Sequence, residues 1–218
     1  MSETLIGAII GAGASIIGSA IGMYANFFIQ KNNMKSEIKQ EEHRIKRERL
    51  DKIYEELISI INLYPTLSPN DVLSGMEYPP NYFNESFDSI LEILEHQCRN
   101  YKERLNNKNI KSEKRANIET QISNIEYSKE KILEISNKYF NAKAKYHIFS
   151  ESHDKATFDL YSGQDVRDCL VEFEVLIHNI FISGSVMGGT NVFNSRIELC
   201  RKHLIDIMRK DLGISRSI

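Results

Sequence analysis

Apolar positions recur at helical spacing along most of the chain, and no stretch alternates apolar and polar residues in the manner of a strand. The first thirty residues depart from that rhythm by being apolar on every face. From Leu5 to Ile29, LIGAIIGAGASIIGSAIGMYANFFI, 25 residues pass without a formal charge. At roughly 1.5 Å per residue a helix of this length spans about 37 Å, more than the ~30 Å hydrocarbon core of a bilayer. A cleaved signal peptide would want a basic leader and a shorter apolar core, whereas here the leader is Met-Ser-Glu-Thr. The five glycines of the segment (Gly7, Gly11, Gly13, Gly18 and Gly22) would each cost roughly 1 kcal/mol relative to alanine in a water-soluble helix. They are common in membrane helices. The pattern predicts a single-pass transmembrane anchor over residues 1–30.

Residues 31–63 hold no Gly or Pro, and Ile38, Ile45, Leu50, Ile53, Leu57, Ile60 and Ile61 predict that the helix runs on as a juxtamembrane stalk until Pro65. All four prolines fall in residues 64–82, which reads as a long loop. Beyond it the spacing predicts helices over about 84–106, 111–149, 165–182 and 194–210, with 150–165 irregular apart from a turn near Lys155–Tyr161. The short polar link after Asn106 predicts an antiparallel hairpin for the first two of these. The 165–182 segment is so apolar that it should be central. SGSVMGG, 183–189, reads as a break, and Gly213 as the last helix stop. The expected fold is all-α: a transmembrane helix continuing into a cytoplasmic helical bundle, with 64–218 as the bundle domain.

Charge orients this layout. Eight bases lie between Lys31 and Lys52 and none before Leu5, so the positive-inside rule places the N-terminus outside and the rest in the cytoplasm of a bacterial inner membrane. The overall net charge of -2 gives no general drive toward nucleic acid. Three widely spaced cysteines, Cys98, Cys169 and Cys200, suggest reduced thiols rather than a disulfide framework.

Within the apolar segment the small residues are patterned. Gly7/Gly11 and Gly18/Gly22 form GxxxG pairs, with Ser15 on the same broad face. Such faces let membrane helices approach closely. With one such helix per chain, the expected partner is a second copy, alongside membrane lipids, and a ring of these helices would line a pore.

The chain has no P-loop, GxGxxG after a strand, HExxH, GxSxG or CxxC, so ATPase, dehydrogenase, zincin and serine-hydrolase readings are poor. No cofactor or metal is expected. His147 and Glu151 are spaced i,i+4 near His153 and Asp154, yet a polar helix end explains them as well. The glycines of 184–189 would suit an anion nest or a plain turn. Arg196 and His203 are the one candidate catalytic pair, two turns apart on one helix face. Arg196, Arg201 and Lys202 are an alternative phosphate-binding set.

The Arg196-x6-His203 spacing resembles the Arg-x4–6-His motif of the HEPN superfamily, all-α proteins that often act as ribonucleases after dimerising; Ile197 departs from the polar residue usual after the Arg. Together with the glycine-rich anchor, the charged stalk and the terminal MRKDLGI (Met208–Ile214), the layout resembles bacterial membrane-anchored helical proteins of the phage-defence type. It is similar in architecture to the pore-forming, degenerate HEPN-like accessory proteins of RNA-targeting CRISPR systems. The resemblance implies an oligomeric inner-membrane protein of antiphage or stress defence that forms a pore or disrupts the membrane. A membrane-tethered HEPN-type ribonuclease and an adaptor docking a protein partner from a defence system are the alternatives.

Overall fold

The computed structural model describes the backbone of residues 3–106, 110–185 and 195–214, and the side chains of these residues except 3–22 and Ala25. All described elements are helices: α1 (Glu3–Leu63), α2 (Pro69–Leu73), α3 (Phe87–Leu105), α4 (Ser112–Ser150), α5 (His153–Tyr161), α6 (Gln164–Phe181) and α7 (Arg196–Asp211). The all-α expectation holds. Two compact units divide the chain, Met1–Glu48 and Arg49–Ile218, and α1 contributes to both.

In the first unit α1 is a single unbroken helix. Arg44 bridges Glu41 at 2.6 Å and Glu48 at 2.5 Å, the i,i+3 and i,i+4 pairing that supports a helix in water. Met23, Tyr24, Phe27, Phe28 and Ile29 are 51–68 % exposed. Among the described residues no helix is long and apolar enough to cross a membrane. Most of the Leu5–Ile29 segment, with Gly7, Gly11, Ser15, Gly18 and Gly22, lies outside the described side chains.

The second unit closes around one core. Leu50, Leu57 and Ile61 of α1 meet Leu94 of α3, Ile132 of α4, Phe158 of α5, Phe181 of α6 and Leu204 of α7, all essentially free of solvent. Each such side chain removed from water stabilises the fold by about 1.5–3 kcal/mol. The α3–α4 hairpin is antiparallel as expected: Lys102 pairs with Glu126, Glu95 with Lys129, and the Phe87 ring meets that of Phe140. The amphipathic α6 packs against α7 but is not surrounded, since Val171 and Val175 remain exposed.

The stretch read as a long loop contains the helix α2, and the turn expected near Lys155–Tyr161 is the helix α5. Ser68 caps α2, its Oγ accepting from the Asp71 N–H at 3.0 Å, and Pro69 follows at the first helical position where its missing N–H costs nothing. Ser152 caps α5 in the same way, through the Lys155 N–H at 3.3 Å. A capping serine was the signal available in both places. The second of the expected helices begins at Phe87 instead of Asn84, because Asn84 and Glu85 sit at positive φ (52° and 57°). That bend lets their N–H groups donate to Ile182 O (2.7 Å) and Phe181 O (3.1 Å), while the Tyr82 hydroxyl donates to Phe181 O at 3.0 Å. Two carbonyls left over at the end of α6, those of Phe181 and the capping Ile182, are thereby satisfied. Gly184, at φ +70°, completes the junction: a Cβ there would stand 2.2 Å from Tyr82 O, and its own carbonyl accepts from Asn70 Nδ2 at 2.5 Å. Of the 183–189 break, residues 186–189 lie outside the described residues.

Candidate functional site

Helix α7 positions the one candidate catalytic pair. Ser195 Oγ accepts from the Glu198 N–H at 3.2 Å, so the helix begins in a Ser-x-x-Glu sequence of the capping-box kind. Ile197, Arg201, Leu204 and Met208 then face the core at i, i+4, i+7 and i+11. The opposite face carries Arg196, Leu199 and His203, all exposed. Arg196 and His203 therefore share a face, separated by roughly 10 Å along the axis at 1.5 Å per residue. Arg196 and Leu199 border a shallow groove of about 540 Å³ with Val171, Glu172 and Val175 of α6; His203 lies outside its lining. Within one chain the pair does not converge on a common point. Among the described residues His203 has no hydrogen bond or ion pair.

The alternative phosphate set does not assemble. Arg201 is 8 % exposed and turned inward: its Nη2 donates to the Tyr64 carbonyl at 2.7 Å and its Nη1 to Glu198 Oε2 at 2.8 Å. Burial pulls its pKa down, and Glu198 opposes that shift. Lys202 leans on the same Glu198 at 3.5 Å. Arg201 is thus a clamp on the residue that follows α1, with charge-assisted bonds stronger than neutral ones. A second clamp sits at the other end of α7, where Asp211 accepts from the Tyr54 hydroxyl at 2.6 Å and from the Gly163 N–H at 3.2 Å. Neither clamp is visible in sequence spacing, because each joins residues more than forty positions apart.

Other expected groups resolve simply. His147 and Glu151 meet at 3.4 Å on the exposed end of α4, and among the described residues no group of three or more His, Cys, Asp or Glu side chains gathers for a metal. Cys98, Cys169 and Cys200 are free thiols; burial pushes the Cys169 thiol up to about 11.

A cleft that spacing did not suggest lies between α4 and α6. Its walls are the rings of Tyr64, Tyr139, Tyr146 and Phe173, contributed by three separate chain segments, and its volume is about 230 Å³. Tyr64 stands nearly perpendicular to Phe173 (centroids 5.7 Å, 76°) and to Tyr139 (6.3 Å, 60°). Two carboxylates attend the tyrosines. Glu85 accepts from the Tyr139 hydroxyl at 2.6 Å and from Lys143 at 2.5 Å, while Glu174 accepts from the Tyr146 hydroxyl. Burial raises the pKa of Tyr139 and of Tyr146 far above the ordinary phenol, and these carboxylates add to the rise. Burial pushes Glu85 up, but its bonds to Lys143 and Tyr139 more than offset this and its pKa is lowered.

Comparison of the chain with known protein families, characterised proteins and solved structures finds no match.

Proposed function

We propose that this chain is a self-associating inner-membrane protein whose N-terminal helix is the working part and whose helical domain assembles or restrains it. The observation that carries the reading is the unbroken run of α1 from Glu3 to Leu63. Its early part bears the 25-residue uncharged segment with its small-residue face, and its last part is built into a folded core. Apolar side chains from Met23 to Ile29 that stand exposed at the end of that segment are what a lipid or a second copy would cover. Assembly of several such helices would permeabilise the bilayer, the mode of action that the layout resemblance also implies for a defence protein.

The test is paired. Gly11→Leu with Gly18→Leu fills the small face while keeping the segment apolar, so the protein stays in the membrane fraction. Crosslinked oligomers and the loss of membrane potential on induced expression should both disappear. Unchanged oligomers would refute self-association through this face.

The ribonuclease reading is favoured by one observation: Arg196 and His203 are exposed on one face of α7, and Arg196 borders the exposed apolar Val171, Val175 and Leu199. Two copies meeting there would bring both pairs together for acid–base chemistry on a phosphodiester. His203→Ala would then abolish toxicity and RNA cleavage; the membrane reading expects toxicity to be unchanged.

A further inference from the structure

We propose that the aromatic cleft between α4 and α6 is a binding site for a small organic ammonium ion, with Glu174 as its counter-charge. The site lies wholly within residues 49–218, so it stands or falls independently of what residues 5–29 do.

The walls favour a cation. Aromatic faces attract ammonium groups through the ring quadrupole, most strongly where water is excluded. The Tyr64 ring stands edge-on to Phe173 (76°) and is inclined to Tyr139 (60°), so these three rings line an open cleft without stacking on one another, while Tyr139 itself stacks on Phe181. One of these rings already carries an ammonium: Lys143 Nζ lies 5.9 Å from the Tyr139 centroid. That lysine is neutralised by Glu85 at 2.5 Å, so it presents little net charge to a ligand.

The polar groups select further. Glu174 receives a hydrogen bond from Tyr146 but among the described residues is paired with no base. The Tyr64 side chain is 7 % exposed, and among the described residues its hydroxyl has no hydrogen-bond partner. It is close enough to Glu174 that this carboxylate adds to the effect of burial, which pushes the Tyr64 hydroxyl up to about 12. His178 stands exposed on the open rim. At about 230 Å³ the cleft falls below the roughly 300–1,000 Å³ of sites for drug-sized molecules, which restricts the ligand to a headgroup-sized cation. Such a cation has two sources, a free amine or the headgroup of a lipid.

The experiment is a calorimetric titration of the full chain, held in a non-ionic detergent, with choline chloride and separately with inorganic phosphate. Saturable choline binding is expected, weakened at least tenfold by Glu174→Gln, with no heat from phosphate. Glu174 is exposed, and glutamine keeps an acceptor for Tyr146, so this variant should retain the parent's helicity and melting temperature. Repeating the choline titration in lipid nanodiscs identifies the source. Competition by phosphatidylcholine discs but not phosphatidylglycerol discs assigns the site to lipid, and no competition by either assigns it to a free amine; both patterns uphold the site. Absence of saturable choline binding, equal affinity in Glu174→Gln, or binding of phosphate instead would overturn it.

Discussion

One helix runs through two environments. Residues 23–48 of α1 expose nearly every described side chain, Ile38 and Ile45 included (53 % and 39 %), whereas Leu50, Leu57 and Ile61, a few turns further on, are completely buried. The earlier part relies on pairs such as Arg44 with Glu41 and Glu48, which contribute little in water. The later part is held by tertiary packing, which supplies most helical stability in folded proteins. Isoleucines and phenylalanines thus stand uncovered along one part of this helix, and leucines and isoleucines are buried along the other.

Substitutions at the two ends should separate these roles. Leu57→Ala removes a fully buried side chain and should lower unfolding stability by about 2–5 kcal/mol, measured by denaturant melts of the full chain in detergent. Ile38→Ala changes an exposed position and should alter the same melt by roughly 0.5 kcal/mol or less. Comparable losses at both sites would contradict the division. Next in size is Arg201→Ala. It strips the clamp from the Tyr64 carbonyl and leaves Glu198 short of its buried partner, and about 3 kcal/mol should be lost. Lys202→Ala, one residue on and exposed, should leave the melt within about 0.5 kcal/mol of the parent.

The smallest effect concerns acid. Glu85 holds Tyr139 and Lys143, and its pKa in the folded protein is below the unfolded value. Its contribution is therefore present above the ordinary carboxylate range and lost as pH falls through the lowered folded value. Glu85→Gln should flatten the acid limb of a stability-versus-pH profile while changing little at pH 7.5 beyond the loss of the Lys143 pair. An unchanged acid limb would show that the Glu85 contacts with Tyr139 and Lys143 contribute nothing.

How much of this was legible in the sequence depends on how local each feature is. The stripe Phe87, Ile90, Leu94, Cys98 and its counterpart Ile118, Ile125, Ile132, Tyr139 revealed the α3–α4 hairpin, because both repeat at helical spacing across a short polar link. The short helix α2 escaped and α5 was expected only as a turn near Lys155–Tyr161, because neither spans enough turns for a periodic stripe; Ser68 and Ser152 marked their starts. Arg201 read as one of a phosphate-binding set with Arg196 and Lys202; its inward turn depends on Tyr64, 137 positions earlier. The aromatic cleft was equally hidden. Tyr64, Tyr139, Tyr146 and Phe173 are ordinary stripe or loop residues until α1, α4 and α6 are packed together. Arg196 and His203 were correctly placed on one helical face, while their separation along it, and Arg201's absence from it, emerged only with the fold.

Under the proposed function, α1 passes from an apolar, externally covered environment into a folded core. A nitroxide scan along the helix in liposomes tests it most directly, reading collision with oxygen against collision with a polar nickel complex at Ile10, Ile17, Tyr24, Lys39 and Leu57. High oxygen and low nickel accessibility are expected at Ile10 and Ile17, a transition near Tyr24, high nickel accessibility at Lys39, and low accessibility to both at Leu57. Nickel accessibility at Ile10 and Ile17 as high as at Lys39 would contradict it.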